Sequence, residues 1–208
     1  MICPRAGAKT RELAGFTAII KAMKNAIILH GKPTKERYYD ETFPSSSNYY
    51  WIPWLQKQLI ARDIATATPE VPSNWFPDYT TWLNEFERYD ITPETILVGH
   101  SCGGGFILRW LSDHPEIRVE KVVLAAPWIN PLNHEDTNDF FSFELDRNLT
   151  KRTKLTVLYS DDDEPGVIET AKIISKLLPE AKVTQLHDYG HFYDDRRMTF
   201  PELLKEVV

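Results

Sequence analysis

Along this chain short, continuous apolar runs alternate with longer stretches whose apolar residues recur every three or four positions. Runs bounded by glycine or proline fit strands buried on both faces of a sheet, and the three-to-four spacing fits amphipathic helices. Residues 26–30 (AIILH) are the first such run, ended by Gly31. Residues 36–48 are polar, contain Pro44 and a Ser-Ser-Ser-Asn run, and read as a surface loop in which Asn48 can cap the next element. Trp51, Trp54, Leu55, Gln58 and Leu59 mark that element as a helix ending near Arg62, with Pro53 in its first turn.

Residues 64–68 alternate like a strand, and a loop with Trp75, Phe76 and Pro77 follows. Asp78 then caps a helix through Trp82, Leu83, Phe86 and Tyr89. Residues 95–98 are a strand, and the helix after it runs from Cys102 to about His114, where Pro115 stops it. Residues 121–126 are a strand closed by Pro127, and residues 136–148 place Phe140, Phe141, Phe143 and Leu145 at helical spacing. A strand over 155–159, a helix over 167–178, a strand over 182–186 and a last helix with Pro201 near its start complete the pattern. Such alternation predicts an α/β fold: a doubly wound, mostly parallel six-stranded sheet flanked by helices. No insertion is long enough for a cap domain.

Composition sharpens this picture. With 208 residues, 42% of them hydrophobic, the chain can bury one sizeable core, expected over residues 23–208. Residues 1–22 carry four basic residues against one acidic, and are expected to be an N-terminal extension, mobile or loosely docked; a basic targeting segment is the other reading. The net charge of −6 is spread without a Lys/Arg cluster, which argues against a nucleic-acid partner. Two cysteines, Cys3 and Cys102, cannot build a disulfide framework, and no apolar run approaches the roughly 20 residues of a membrane span. A cytoplasmic protein, monomeric or a small homo-oligomer, is expected.

The candidate chemistry centres on residues 95–110 (TILVGHSCGGGFILRW), where a strand enters Gly99-His-Ser-Cys-Gly103 and leaves as a helix. That is the strand, sharp turn and helix of a nucleophile elbow, with Ser101 at its apex. An ordinary glycine-rich turn is the plainer reading of the same residues. Cys102 begins the helix, so its backbone N–H can hold an oxyanion. The loop after the first strand can bring a second donor; Pro33 has no N–H, which leaves Lys32. Two later strand ends carry the remaining groups. One runs into Ser160-Asp-Asp-Asp-Glu-Pro165 and the other into His187-Asp-Tyr-Gly-His-Phe192.

A serine hydroxyl needs a base to take its proton, and the base needs a carboxylate to hold its tautomer. His191, after a glycine that lets the loop turn inward, fits the base, and Asp163 the carboxylate, with Asp162 as the alternative. His187 and His191 stand at metal-ligand spacing, but Gly190 between them breaks the helix that would align them. No metal and no cofactor are expected. Trp51, Trp75, Trp128 and Phe192 are candidates for lining a substrate pocket, and Tyr49 and Tyr50 can join Trp51 there.

The set His30-Gly31, Gly99-His-Ser-Cys-Gly103, Ser160-x-x-Asp163-x-Pro165 and Gly190-His-Phe192 resembles the small serine hydrolases typified by retinoblastoma-binding protein nine and bacterial YdeN. The resemblance covers roughly residues 23–208. It implies a minimal α/β-hydrolase fold without a cap, a triad of Ser101, Asp163 and His191, and esterase-like activity. Two departures stand out: Lys-Pro-Thr follows Gly31 where a glycine run is usual, and the Leu-x-Cys-x-Glu pattern tied to retinoblastoma binding is absent. The expected activity is hydrolysis of a small carboxylic ester, with a thioester, a small amide or acyl transfer open to the same residues. A non-catalytic binding protein on the same fold is the alternative.

Overall fold

The computed structural model describes residues 24–133, 137, 139–193 and 198–208. The extension expected over residues 1–22, its boundary at residue 23 and the start of the helix expected at Asp136 lie outside them.

Six strands among the described residues carry the fold: β1 (Asn25–Leu29), β2 (Ala65–Ala67), β3 (Ile96–His100), β4 (Lys121–Ala125), β5 (Lys154–Ser160) and β6 (Lys182–Leu186). They lie in the order β2-β1-β3-β4-β5-β6, every pair parallel. Helices α1 (Lys35–Tyr39), α2 (Ile52–Ile60), α3 (Tyr79–Phe86), α4 (Cys102–Asp113), α5 (Pro165–Leu177) and α6 (Pro201–Val207) connect and cover them. This is the doubly wound sheet that the alternation predicts.

Side chains alternate across each strand, so each central strand feeds two cores. Ile27, Leu29, Leu97, Val122 and Leu124 meet Trp82, Phe86, Phe106 and Trp110 from α3 and α4. On the other face Ala26, Ile28, Ile96, Val98 and Val123 meet Trp51 just before α2, Leu55 and Leu59 from α2, and Leu203 and Val207 from α6. Each fully buried large apolar side chain contributes about 1.5–3 kcal/mol. Lys121, entering β4, donates from Nζ to the carbonyls of Glu206 (2.8 Å) and Val207 (2.9 Å), which ties the C-terminal end of α6 to the sheet.

Local signals hold where they are chemical and fail where tertiary contacts compete. Asp78 caps α3, its carboxylate accepting from the Thr81 N–H at 2.7 Å. Asn48 does not cap α2: it ends a single 3-10 turn, Ser46–Asn48, and Trp51 stands at the cap position without a side-chain bond. Within the expected surface loop the chain forms α1, capped by the Thr34 hydroxyl and burying no residue. Residues 139–148 are turns and irregular chain rather than a helix. Here Phe140 is drawn between Trp82 (5.3 Å) and Phe106 (6.3 Å) while Phe141 packs on Trp128 (5.0 Å), and two neighbours in sequence cannot satisfy both partners from one helical face. Among the described residues no helix is long and apolar enough to cross a membrane.

Candidate active site

Strand order reverses between β1 and β3, and their carboxyl ends open the crevice where such sheets place ligands. Ser101 stands there, between β3 and α4, with φ 52° and ψ −119°. A non-glycine residue in this region stores on the order of 1–3 kcal/mol, held by the packing around it. The Ser101 N–H donates to the Ala125 carbonyl and its own carbonyl accepts from Gly105 and Trp128, which fixes the strained turn from three sides. A Cβ at Gly103 would collide with the His30 carbonyl, and one at Gly99 would lie 2.7 Å from the Gly104 backbone, so both flanks must be glycine.

The loop after β6 brings His191 Nε2 to 2.9 Å from Ser101 Oγ. His191 Nδ1 lies 2.8 Å from Asp163 Oδ1, supplied by the loop after β5. A carboxylate only accepts, so the Nδ1 proton points to Asp163 and Nε2 is left to accept from the serine hydroxyl. Asp163 is buried, and its Oδ1 also accepts from the Glu164 N–H at 2.7 Å. Asp162 sits one residue away and turns to solvent. It accepts from the Ser160 hydroxyl and from the Gly190 N–H (2.8 Å), bonds that lower its pKa in that order of weight. Asp162 thus holds the backbone of the His191 loop, and Asp163 the imidazole.

Two further histidines brace this array. His100 is buried, and its Nε2 donates to the His191 carbonyl at 3.0 Å. Burial, then the neighbouring His191, pushes its pKa down to about 3, so it stays neutral. His30 accepts from the Val71 N–H at Nε2 (3.0 Å), which leaves its proton on Nδ1 to donate to the Gly31 carbonyl at 2.8 Å. Burial lowers its pKa as well. The bond to Gly31 orients the peptide unit whose N–H belongs to Lys32. That loop passes directly beside the serine, since a Cβ on Gly31 would lie 2.9 Å from the Ser101 Cβ. Cys102, the expected other donor, is the first residue of α4, at the positive end of the helix dipole.

Tyr193 belongs to this cluster and escapes the sequence patterns. Its ring packs on His191 (4.6 Å) and His100 (4.7 Å), and its hydroxyl donates to the Lys32 carbonyl (3.4 Å). Burial chiefly raises its pKa, so the phenol keeps its proton. The one available signal is alternation: two residues past His191, Tyr193 returns to the same side of the chain.

Phe192, between them, points the other way. With φ 57° it is fully buried against Phe200 (4.7 Å), so it fills the core and does not line a pocket. Trp51 is likewise core, edge-on to His100 (5.7 Å) and Phe200 (5.8 Å), and only borders a cavity. Trp75 packs on Tyr39 and Phe76 away from that cavity. Trp128, half-buried, carries Lys32 Nζ 5.9 Å from its ring centre and stands outside it too.

The cavity itself measures about 400 Å³ and lies beyond the end of β1. Gly31, Arg37, Phe43, Tyr49, Tyr50 and Tyr193 are among its walls. Ser101 and His191 do not line it; Gly31, His100 and Tyr193 join it to them. Among the described residues, Asp161, His187 and Asp188 cluster with ligand atoms within 4.8 Å, all exposed. His191 is not part of that cluster, and both of its ring nitrogens are engaged, by Ser101 and by Asp163.

With this geometry in view, comparison with known proteins is informative. The family model described as serine hydrolase matches residues 41–204. YdeN of Bacillus subtilis (strain 168) is 26% identical over 182 residues, spanning 84% of this chain and 95% of its own. The crystal structure of the ydeN gene product matches with a TM-score of 0.75 at 22% identity, over 88% of this chain and 96% of that one. The esterase domain of a Rhodothermus marinus protein matches with a TM-score of 0.61 at 15% identity, covering 90% of this chain and 87% of its own. Est1E from Butyrivibrio proteoclasticus, solved with ferulic acid bound, matches with a TM-score of 0.59 at 15% identity, over 88% and 86%.

Proposed function

The chain belongs to the serine hydrolase family, and from that premise we propose that it hydrolyses a small carboxylic ester through an acyl-enzyme on Ser101. The observation that carries this reading is the unbroken hydrogen-bond chain from Ser101 Oγ through His191 to the buried Asp163. Esterases among the structural neighbours share the fold, and point to the same bond type.

Ser101 Oγ attacks the ester carbonyl carbon as His191 Nε2 takes its proton. The carbonyl π electrons move to oxygen, and the N–H groups of Cys102 and Lys32 receive that oxyanion; one such donor is worth about 10²–10³ in kcat. Asp163 stabilises the imidazolium through Nδ1–H without itself taking the proton. His191 then returns the proton to the leaving alkoxide as the C–O bond breaks, leaving the acyl group on Ser101. A water, deprotonated by His191, attacks that acyl carbon; collapse of the second intermediate releases the acid and restores the serine hydroxyl.

His100 and Tyr193 position this array. His100 holds the His191 backbone, and Tyr193 packs over the imidazole while bonding the Lys32 carbonyl. The test is turnover of short-chain p-nitrophenyl esters by wild type, Ser101→Ala and His191→Ala. Release of p-nitrophenolate by wild type that disappears in both variants supports the reading. A folded wild type without turnover argues for a binding protein instead.

A further inference from the structure

Arg37 projects from α1 into the wall of the aromatic cavity. Its Nη1 donates to the Tyr50 hydroxyl at 2.8 Å, and its guanidinium lies 5.2 Å from the centre of the Phe43 ring. Among the described residues no carboxylate reaches ion-pair distance of Arg37, in a chain whose net charge is −6. Among the described residues the one carboxylate in the cavity wall, Glu70, is already engaged by the N–H groups of Ser46 (3.2 Å) and Ser47 (2.6 Å) and by Asn74 Nδ2 (3.0 Å). A guanidinium has five N–H donors in a flat fork suited to a carboxylate, and one contact with a phenol leaves most of that fork pointing elsewhere.

The cavity also leads to the serine. Gly31 puts no side chain between its wall and Ser101, and Tyr50, tilted against Tyr193 at 5.2 Å, continues the aromatic lining from Arg37 to the phenol ring that packs on His191. We propose that this cavity binds the acyl arm of the substrate and that Arg37 holds a carboxylate at the far end of that arm. The substrate class is then a half-ester of a dicarboxylic acid, or an acyl group with a terminal anion on an apolar or aryl body. This rests on the proposed ester hydrolysis at Ser101 and names what that site selects.

The matched pair mono-p-nitrophenyl adipate and p-nitrophenyl hexanoate has six-carbon acyl chains that differ only in the terminal carboxylate. Wild type is expected to favour the adipate by about tenfold in kcat/KM, as one charge-assisted hydrogen-bonded pair allows. Arg37→Gln is expected to bring that ratio to about one, whereas Arg62→Gln, exposed in the turn after α2, keeps it. Raising the salt concentration should narrow the ratio in wild type. A wild-type ratio at or below one, or a ratio unmoved by Arg37→Gln, overturns the proposal. Calorimetry with monomethyl adipate and the Ser101→Ala variant reads the cavity without turnover. Binding that weakens about tenfold when Arg37→Gln is added supports the site even if no ester is cleaved, and binding indifferent to Arg37 overturns it.

Discussion

Two aspartate–histidine pairs hang from the same two strand ends. Asp163 and His191 meet at 2.8 Å with side chains 0% and 12% exposed; Asp161 and His187 meet at 2.7 Å with side chains 31% and 81% exposed. Residue types, distance and ring nitrogen are alike. What differs is burial and the third partner: His191 turns Nε2 to Ser101, His187 turns Nε2 to Asp188 at 3.2 Å. In water the outer pair is a screened ion pair of little consequence. The inner pair works in a place that excludes solvent, where the same contact fixes one tautomer and one geometry. A hydrogen-bonded Asp–His pair is therefore no sign of catalysis until its surroundings are known.

The sharpest way to break the comparison is to neutralise each aspartate in turn. Asp163→Asn is expected to lower kcat on a p-nitrophenyl ester by about 10³–10⁴, because the amide favours the wrong imidazole tautomer. Asp161→Asn should leave kcat within about twofold, and equal losses in the two variants would erase the distinction. Space makes the next contrast. Gly31→Ala sets a methyl 2.9 Å from the Ser101 Cβ and displaces the donor loop, with an expected loss of about 10²-fold in kcat/KM. Gly190→Ala meets nothing within 4 Å and suffers only from its φ of +54°, so its loss should be far smaller.

Acid sharpens the comparison through the braces of the inner pair. His100, with a folded pKa of about 3, cannot follow the unfolded chain in binding a proton near pH 6.5. Its contribution to stability is complete above pH 6.5 and is lost as pH falls towards 3; His30, also depressed, acts in the same direction. Thermal unfolding temperatures should fall across that window, and less so in His100→Gln. The smallest effect belongs to the outer pair. His187 has its pKa raised by the Asp161 hydrogen bond, so the pair adds stability below pH 6.5 and loses it as pH rises through the folded pKa. An NMR titration of the His187 ring should give a value above the ordinary histidine range, and a lower one in Asp161→Asn.

Much of this architecture is written in local patterns. The strand over residues 182–186 is where the alternation of strands and helices along the chain puts it, and Ser101, Asp163 and His191 follow strand ends that a parallel sheet must bring to one edge. The reading fails where distant residues decide. Helical spacing at Phe140 to Leu145 yields to separate aromatic partners, and α1 is too short and too polar to show a period. Phe192 looks like a pocket residue because it follows the histidine, yet a left-handed turn sends it into the core and hands the site to Tyr193. The cavity is assembled from the loops after β1 and β2 and from Tyr193, so no single window of sequence contains it.

The most direct test of the central claim is the intact mass of the protein after reaction with a fluorophosphonate, followed by peptide mapping. One adduct per chain, located on Ser101 and abolished in His191→Ala, is the predicted result. An unlabelled, folded wild type, or an adduct placed elsewhere, would contradict the account.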